Sequence, residues 1–279
     1  MISMKSKIIT IAIFFFLCTS CGTQKQINRA NAVHDEIQAL RDLNNDKIEK
    51  GTQSPEIGKS IDSTYEKMQT EINELKEKVK KNPADLAQLK KLKKKSESYQ
   101  TTIETFLKLY KIETFKSFEA SRFFKSGEYN INNEDAVIIL NDLNPLIDKI
   151  IEIIEHDKAV NIEVIIGVYG YTDEQEVGVN GPLYITLTKA LNKPNPTQEE
   201  LNQKLSEFRA KSLSDLIQES VEKRKSEEAN KNHIFYNINW LGRGYTKLPF
   251  KGMDAKKIDE KRRVVTVIWG VKPILIDEN

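Results

Sequence analysis

The chain has 279 residues, with 43 Lys and Arg against 41 Asp and Glu, a formal charge of +2 and 39% hydrophobic residues. That length suits about two domains with at least one real core, and near-neutrality excludes a dedicated nucleic-acid binder, which needs a net basic footprint to displace phosphate counterions. The two cysteines supply neither a disulfide framework nor a four-ligand zinc site. His34, His156 and His233 fall in unrelated segments without metal-ligand spacing, so neither a metal nor a cofactor is expected.

Residues 1–20 have the form of a secretory signal: Lys5 and Lys7, an apolar run from Ile8 to Leu17, then Cys18, Thr19 and Ser20. The run is too short to span a bilayer as a stable anchor. The cysteine that follows Ser20 makes the segment resemble the lipobox of bacterial lipoproteins, although Cys18 stands where a leucine is usual. The resemblance implies that Cys21 becomes the first residue of the mature chain and carries acyl chains such as palmitate. At about 0.8 kcal/mol per buried methylene, several such chains hold a protein on a membrane where one does not. A plainly cleaved leader that leaves Cys21 as a free thiol is the alternative.

Residues 21–112 carry almost no strand signal and are expected to be helical. Ile27, Val33, Ile37, Leu40 and Leu43 mark a helix over about 26–49. Ile61, Tyr65, Met68, Ile72, Leu75 and Val79 follow at spacings of 4, 3, 4, 3 and 4, the seam of a heptad. Ser54-Pro55 and Asn82-Pro83 each set a capping side chain before a proline at a first helical position, which predicts two helix starts. A third stripe runs through Leu86, Leu89, Leu92, Tyr99, Ile103, Phe106 and Tyr110. The segment is expected to form a helical hairpin or bundle, a coiled-coil spacer open to self-association. The lysine run from Lys90 to Lys95 suits a solvated helix face, with contact to anionic headgroups as the alternative.

From residue 113 the texture changes to alternating strands and helices. A first strand ends near Phe124, and a helix runs from Asn133 to about Glu155, interrupted by Pro145. A β-branched strand spans Val160 to Tyr171, a helix covers about Thr197 to Lys225, and strands follow near Ile234–Leu241 and Arg263–Val271. The order β-α-β-α-β-β predicts an α/β (α+β) domain over 113–279, with helices on one face of a mixed sheet. Residues of about 174–201, containing Gly181-Pro182 and Asn195-Pro196, are expected to form an inserted loop.

Four motifs then carry a resemblance. Gly170-Tyr171-Thr172-Asp173 closes a strand, and Asn202-x-x-Leu205-Ser206-x-x-Arg209-Ala210 lies on the next helix. Gly242-x-Gly244-Tyr245 follows the next strand, and Arg262-Arg263-Val264 enters the last. Together, in this order, they resemble the OmpA-like C-terminal domain, a family that binds peptidoglycan non-covalently. The resemblance implies that Asp173 accepts from the ammonium of a stem-peptide diaminopimelate and that Arg209 forks onto its carboxylate. It assigns supporting roles to Thr172, Asn202, Arg263 and Arg262. The alternative is that Asp173 and Arg209 pair with each other. The chain departs from the family pattern in placing Asp173 and Arg209 36 positions apart, in Glu176 where a glycine is usual, and in Lys261 where an asparagine is usual.

The expectation is therefore a lipoprotein of the cell envelope, anchored by Cys21 in a membrane, the outer one by preference, and facing the periplasm. Its partner would be peptidoglycan, and no enzymatic turnover is expected, because no Ser-His-Asp, Cys-His or paired-carboxylate arrangement is present. The alternative is a degenerate OmpA-like scaffold whose coiled coil and inserted loop recruit envelope proteins.

Overall fold

The computed structural model describes residues 4–112, 115–119, 123–124, 128–156, 160–227, 234–245 and 263–275. Helix α1 spans Met4–Glu49, α2 Pro55–Lys81 and α3 Leu86–Leu109. The first is longer than the 26–49 expected and passes unbroken through Cys21, whose side chain lies outside the described residues. Ser54 caps α2 by accepting from the Ile57 amide at 3.1 Å, with Pro55 in the first turn. Asn82 ends α2 but does not start α3. That start belongs to Asp85, whose carboxylate accepts from the amides of Ala87 and Gln88, two donors no helical carbonyl reaches. No helix among the described residues is long and apolar enough to cross a membrane.

The three helices pack on one another as a bundle, resolving the hairpin-or-bundle alternative. All six residues of the α2 heptad stripe are at most 4% exposed. Tyr65 meets Phe106 of α3 edge to face at 6.2 Å, and Arg41 of α1 forks onto Asp62 of α2 at 2.7 and 2.9 Å. The seam is consumed inside the chain, so it offers a second coiled-coil strand no exposed stripe.

Strand β1 (Phe115–Glu119) ends sooner than expected. Phe123 and Phe124 are buried beyond it without joining the sheet. Helix α4 (Asn133–His156) begins after Asn132, whose side chain accepts from the Asp135 amide, and Pro145 lies within it without ending it. Its buried face is Ile139, Leu143, Ile147, Ile150 and Ile151, while Ile138 turns outward. Strand β2 (Ile162–Gly170) leads into the inserted segment, which contains a helix where a loop was expected: α5, Pro182–Leu191, with Gly181 before Pro182 at its start and left-handed Asn192 at its end. Helix α6 spans Gln198–Glu227 after a reciprocal Thr197–Glu200 capping box. Strands β3 (Ile234–Gly242) and β4 (Val264–Pro273) complete the fold.

The sheet order is β1-β4-β2-β3, with β2 and β3 parallel and β4 antiparallel to both of its neighbours. Both connections of the expected β-α-β-α-β-β order are present, and β4 inserts between β1 and β2. Helices cover both faces, not one. On one side a Cβ added to Gly170 would lie 2.0 Å from the Ser206 carbonyl oxygen of α6. On the other, a Cβ at Gly270 would lie 2.6 Å from Ile57 of α2. Tyr169 Oη bonds Ser54 Oγ at 2.9 Å, and Lys272 donates to Ser60 Oγ at 3.2 Å. Bundle and sheet thus share one continuous apolar core. Burial on both faces explains why β2 and β4 are nearly unbroken apolar runs.

Candidate functional site

Two backbone and two side-chain features converge at the carboxyl end of β2. Gly170 lets β2 approach α6 so closely that any side chain there would strike the Ser206 backbone. Ser206 Oγ donates to the Gln203 carbonyl at 2.7 Å and accepts from the Gly244 amide at 3.0 Å. Gly244 holds φ at +58°, a left-handed turn that brings its carbonyl to the Thr172 amide at 3.0 Å. Gln203 donates to the Gly242 carbonyl at 2.8 Å. The residues that formed separate sequence motifs therefore tie the ends of β2 and β3 to one turn of α6. Asp173 follows Gly170 by three residues and Arg209 follows Ser206 by three, so the same contacts fix both.

The cavity beyond this junction measures about 320 Å³, and Thr172, Asp173, Asn202, Arg209 and Arg263 all line it. Asp173 is 3% exposed and its Oδ2 accepts from Arg263 Nε at 2.9 Å. Arg209 is 6% exposed, and its guanidinium stands 5.4 Å from the centroid of the Phe124 ring. Among the described residues its hydrogen bonding is one long contact, Nε to the Glu128 carbonyl at 3.4 Å. Burial pushes this guanidinium down to about 10, the charge of Arg263 adds to the shift, and Asp173 opposes it. It remains charged at neutral pH, held where water cannot fully solvate it. The Thr172 hydroxyl is also buried, with no hydrogen-bond partner among the described residues. The cavity therefore presents two guanidiniums, the buried carboxylate of Asp173, the exposed carboxylate of Glu176 and the Thr172 hydroxyl, and its Arg209 end suits a ligand bearing a carboxylate.

Asp173 pairs with Arg263 and not with Arg209. Asn202 faces the cavity with its amide spent on the Gln175 carbonyl at 3.2 Å, where it pins the inserted segment. Gln198 clamps Val177 through both backbone groups at 2.9 and 3.1 Å. Val177, Leu187, Leu201 and Leu205 form a small second core beneath. The insertion is thus a wall of the cavity, contributing Gln175 to Gly178 and Gly181 to Leu183. Arg262 lies outside the described residues. Sequence reasoning missed Phe124, assigned to a strand, and the wall residues Val177 and Leu183, assigned to a loop. The Gly181-Pro182 pair was the available signal for the helix behind that wall. No group of His, Cys, Asp and Glu among the described residues is arranged to hold a metal.

The bundle braces the site from behind. Arg243 donates its amide to the Gly170 carbonyl at 2.7 Å, stacks 4.9 Å from the Tyr169 ring centroid and pairs with Glu56 of α2 at 2.8 Å.

No family model matches the chain. No curated protein matches it either. Solved structures similar to it include the periplasmic domain of Helicobacter pylori MotB, at 13% identity and a TM-score of 0.29, with 57% of this chain and 81% of that one covered.

Proposed function

We propose that this protein binds peptidoglycan non-covalently through the diaminopimelate of a stem peptide, and that acyl chains on Cys21 anchor it in the outer membrane, facing the periplasm. The observation that carries the reading is Arg209: a buried guanidinium, lining a cavity with Asp173, whose fork has almost no partner among the described residues. A protein that keeps such a group desolvated gives up stability unless a ligand completes it. The ordered motifs of the OmpA-like resemblance meet at this same point.

In this reading the ligand carboxylate takes two parallel bonds from the Arg209 fork. The ligand ammonium donates to Asp173, which Arg263 holds in orientation, and the Thr172 hydroxyl adds a further bond. Opposite charges at a fixed separation select a zwitterionic carbon over a simple amine or acid. No bond is broken, and the function is attachment. With Cys21 in a membrane, the second contact becomes effectively intramolecular, so modest peptide affinity suffices for durable tethering. Because the bundle packs on the sheet, the reach between lipid and wall is that of a folded body and not of an extended rod.

Co-sedimentation of the full chain with purified sacculi tests the site. Saturable binding that free diaminopimelate competes away, and that Arg209→Met abolishes, is the expected result. Wild-type binding by folded Arg209→Met rules out the assignment. Loss of membrane partitioning in Cys21→Ser tests the anchor separately.

A further inference from the structure

The outer edge of β3 is unlike the rest of the sheet. It is an edge strand in the order β1-β4-β2-β3, and among the described residues nothing pairs with its far side. Its nine residues, Ile-Phe-Tyr-Asn-Ile-Asn-Trp-Leu-Gly, contain no charge and no proline. Those are the devices by which sheet edges avoid joining other chains. The opposite edge, β1, is only five residues long and includes Lys116 and Glu119. Phe235, Trp240 and Leu241 of β3 are 51%, 43% and 42% exposed, a concentration of large apolar surface on one strand.

The strand is also chemically palindromic about Ile238. We propose that two copies of this chain pair along β3, antiparallel, with the two-fold axis at Ile238, to make one continuous eight-stranded sheet. In that register Phe235 lies opposite Leu241 of the second copy, Tyr236 opposite Trp240, Asn237 opposite Asn239, and Ile238 opposite itself. From Phe235 to Leu241 apolar meets apolar, aromatic meets aromatic and amide meets amide, the pairing that stabilises antiparallel ladders, and only the end pair of Ile234 and Gly242 is unmatched. Registers shifted by two residues set Phe235 against Asn239, or Leu241 against Asn237, and lose the match. A second copy is therefore the occupant this edge suits, and a two-fold axis lets one patch serve both sides. The β2 ends, and with them the two cavities, then lie toward opposite ends of the joined sheet. The inference is independent of what the cavity binds.

Sedimentation equilibrium of the full chain in mild detergent, over a concentration series, reads the dimer directly. The wild type is expected to dimerise. The double variant Phe235→Lys/Leu241→Lys sets lysine opposite lysine twice across the axis and is expected to weaken dimerisation at least tenfold. The variant Phe235→Lys/Leu241→Glu sets lysine opposite glutamate in the same register and is expected to recover it. Both positions are exposed in the single chain, so circular dichroism should show all three proteins equally folded. A wild type that stays monomeric overturns the proposal, as does a dimer that survives the double-lysine change. Failure of the lysine-glutamate variant to recover dimerisation, while folded, overturns the register.

Discussion

Phe106 on α3 and Arg209 on α6 are both almost inaccessible, at 0% and 6% exposure, but their surroundings differ in kind. Phe106 meets Tyr65 edge to face and sits within the apolar core shared by bundle and sheet, so its burial is complete within the fold. Arg209 has an aromatic face and one long hydrogen bond, and most of its donors find no protein acceptor among the described residues. The first kind of burial stabilises by removing apolar area from water. The second leaves a charge desolvated and costs stability. Equal burial therefore stabilises the fold in one region and, in the proposed function, holds a charge ready for a ligand in the other.

Substitutions should separate the two. Phe106→Ala should destabilise by about 3–5 kcal/mol, the usual cost of emptying a packed aromatic site. Urea unfolding measures this, and sacculus binding per folded molecule should stay at the wild-type level. Arg209→Met should do the reverse. Binding falls by about 2–5 kcal/mol, as when one partner of a buried charge pair is truncated. Thermal unfolding should show stability unchanged or raised, since an apolar side chain replaces a poorly solvated cation. A loss of stability in Arg209→Met comparable to that in Phe106→Ala would make Arg209 a structural residue and break the comparison.

The bundle was legible because a heptad stripe has few uses, and Ile61 to Val79 became the buried seam that their spacing implies. Periodicity could not say what the seam packs against, because that depends on α1, and on Gly270 leaving room for Ile57 and Ile61 on the far face of the sheet. Strands β2 and β4 were legible as doubly buried runs. The single-face arrangement expected for the helices failed because nothing local in residues 55–61 marks them as a sheet cover. At the site, Thr172, Asp173, Asn202, Arg209 and Arg263 were all named from the sequence, and all line one cavity. Their division of labour was not readable. That Arg263, and not Arg209, takes Asp173 is set by a side-chain contact between positions 90 apart in sequence, and Asn202 turned to the insertion through the Gln175 carbonyl.

Gly170 belongs to both regions, so Gly170→Ala should sharpen the contrast by abolishing it at one position. The new Cβ would lie 2.0 Å from the Ser206 carbonyl oxygen and 2.9 Å from its carbon, contacts with backbone that no rotamer change relieves. Forcing β2 and α6 apart should cost about 1–3 kcal/mol, as overpacking generally does. Because Asp173 and Arg209 each lie three residues beyond this contact, sacculus binding should fall in the same variant. A stability loss with binding intact would show that the cavity is positioned by the insertion and the Arg263 pair, and not by the β2–α6 junction.

A last contrast concerns a half-buried cation that belongs to the bundle. The Lys47 ammonium stands 4.8 Å from the Tyr110 ring centroid, and burial lowers its pKa from the ordinary 10.5 to about 8. Between those values the unfolded chain holds the proton and the folded chain does not, so this group makes stability rise with pH from about 8 to 10.5. Tyr110, pushed up to about 12 by burial, keeps its own proton across that window. Lys47→Met should therefore be the more stable protein below pH 8, and its advantage over the wild type should shrink as pH rises toward 10.5. Chemical denaturation of both proteins across that range measures the gap. Closure of the gap makes Lys47 a desolvated charge relieved by losing its proton near 8, whereas Arg209, lowered only to about 10, keeps its charge at neutral pH. A gap that stays constant would mean that the Lys47 ammonium reaches water in the folded chain and is not a desolvated charge.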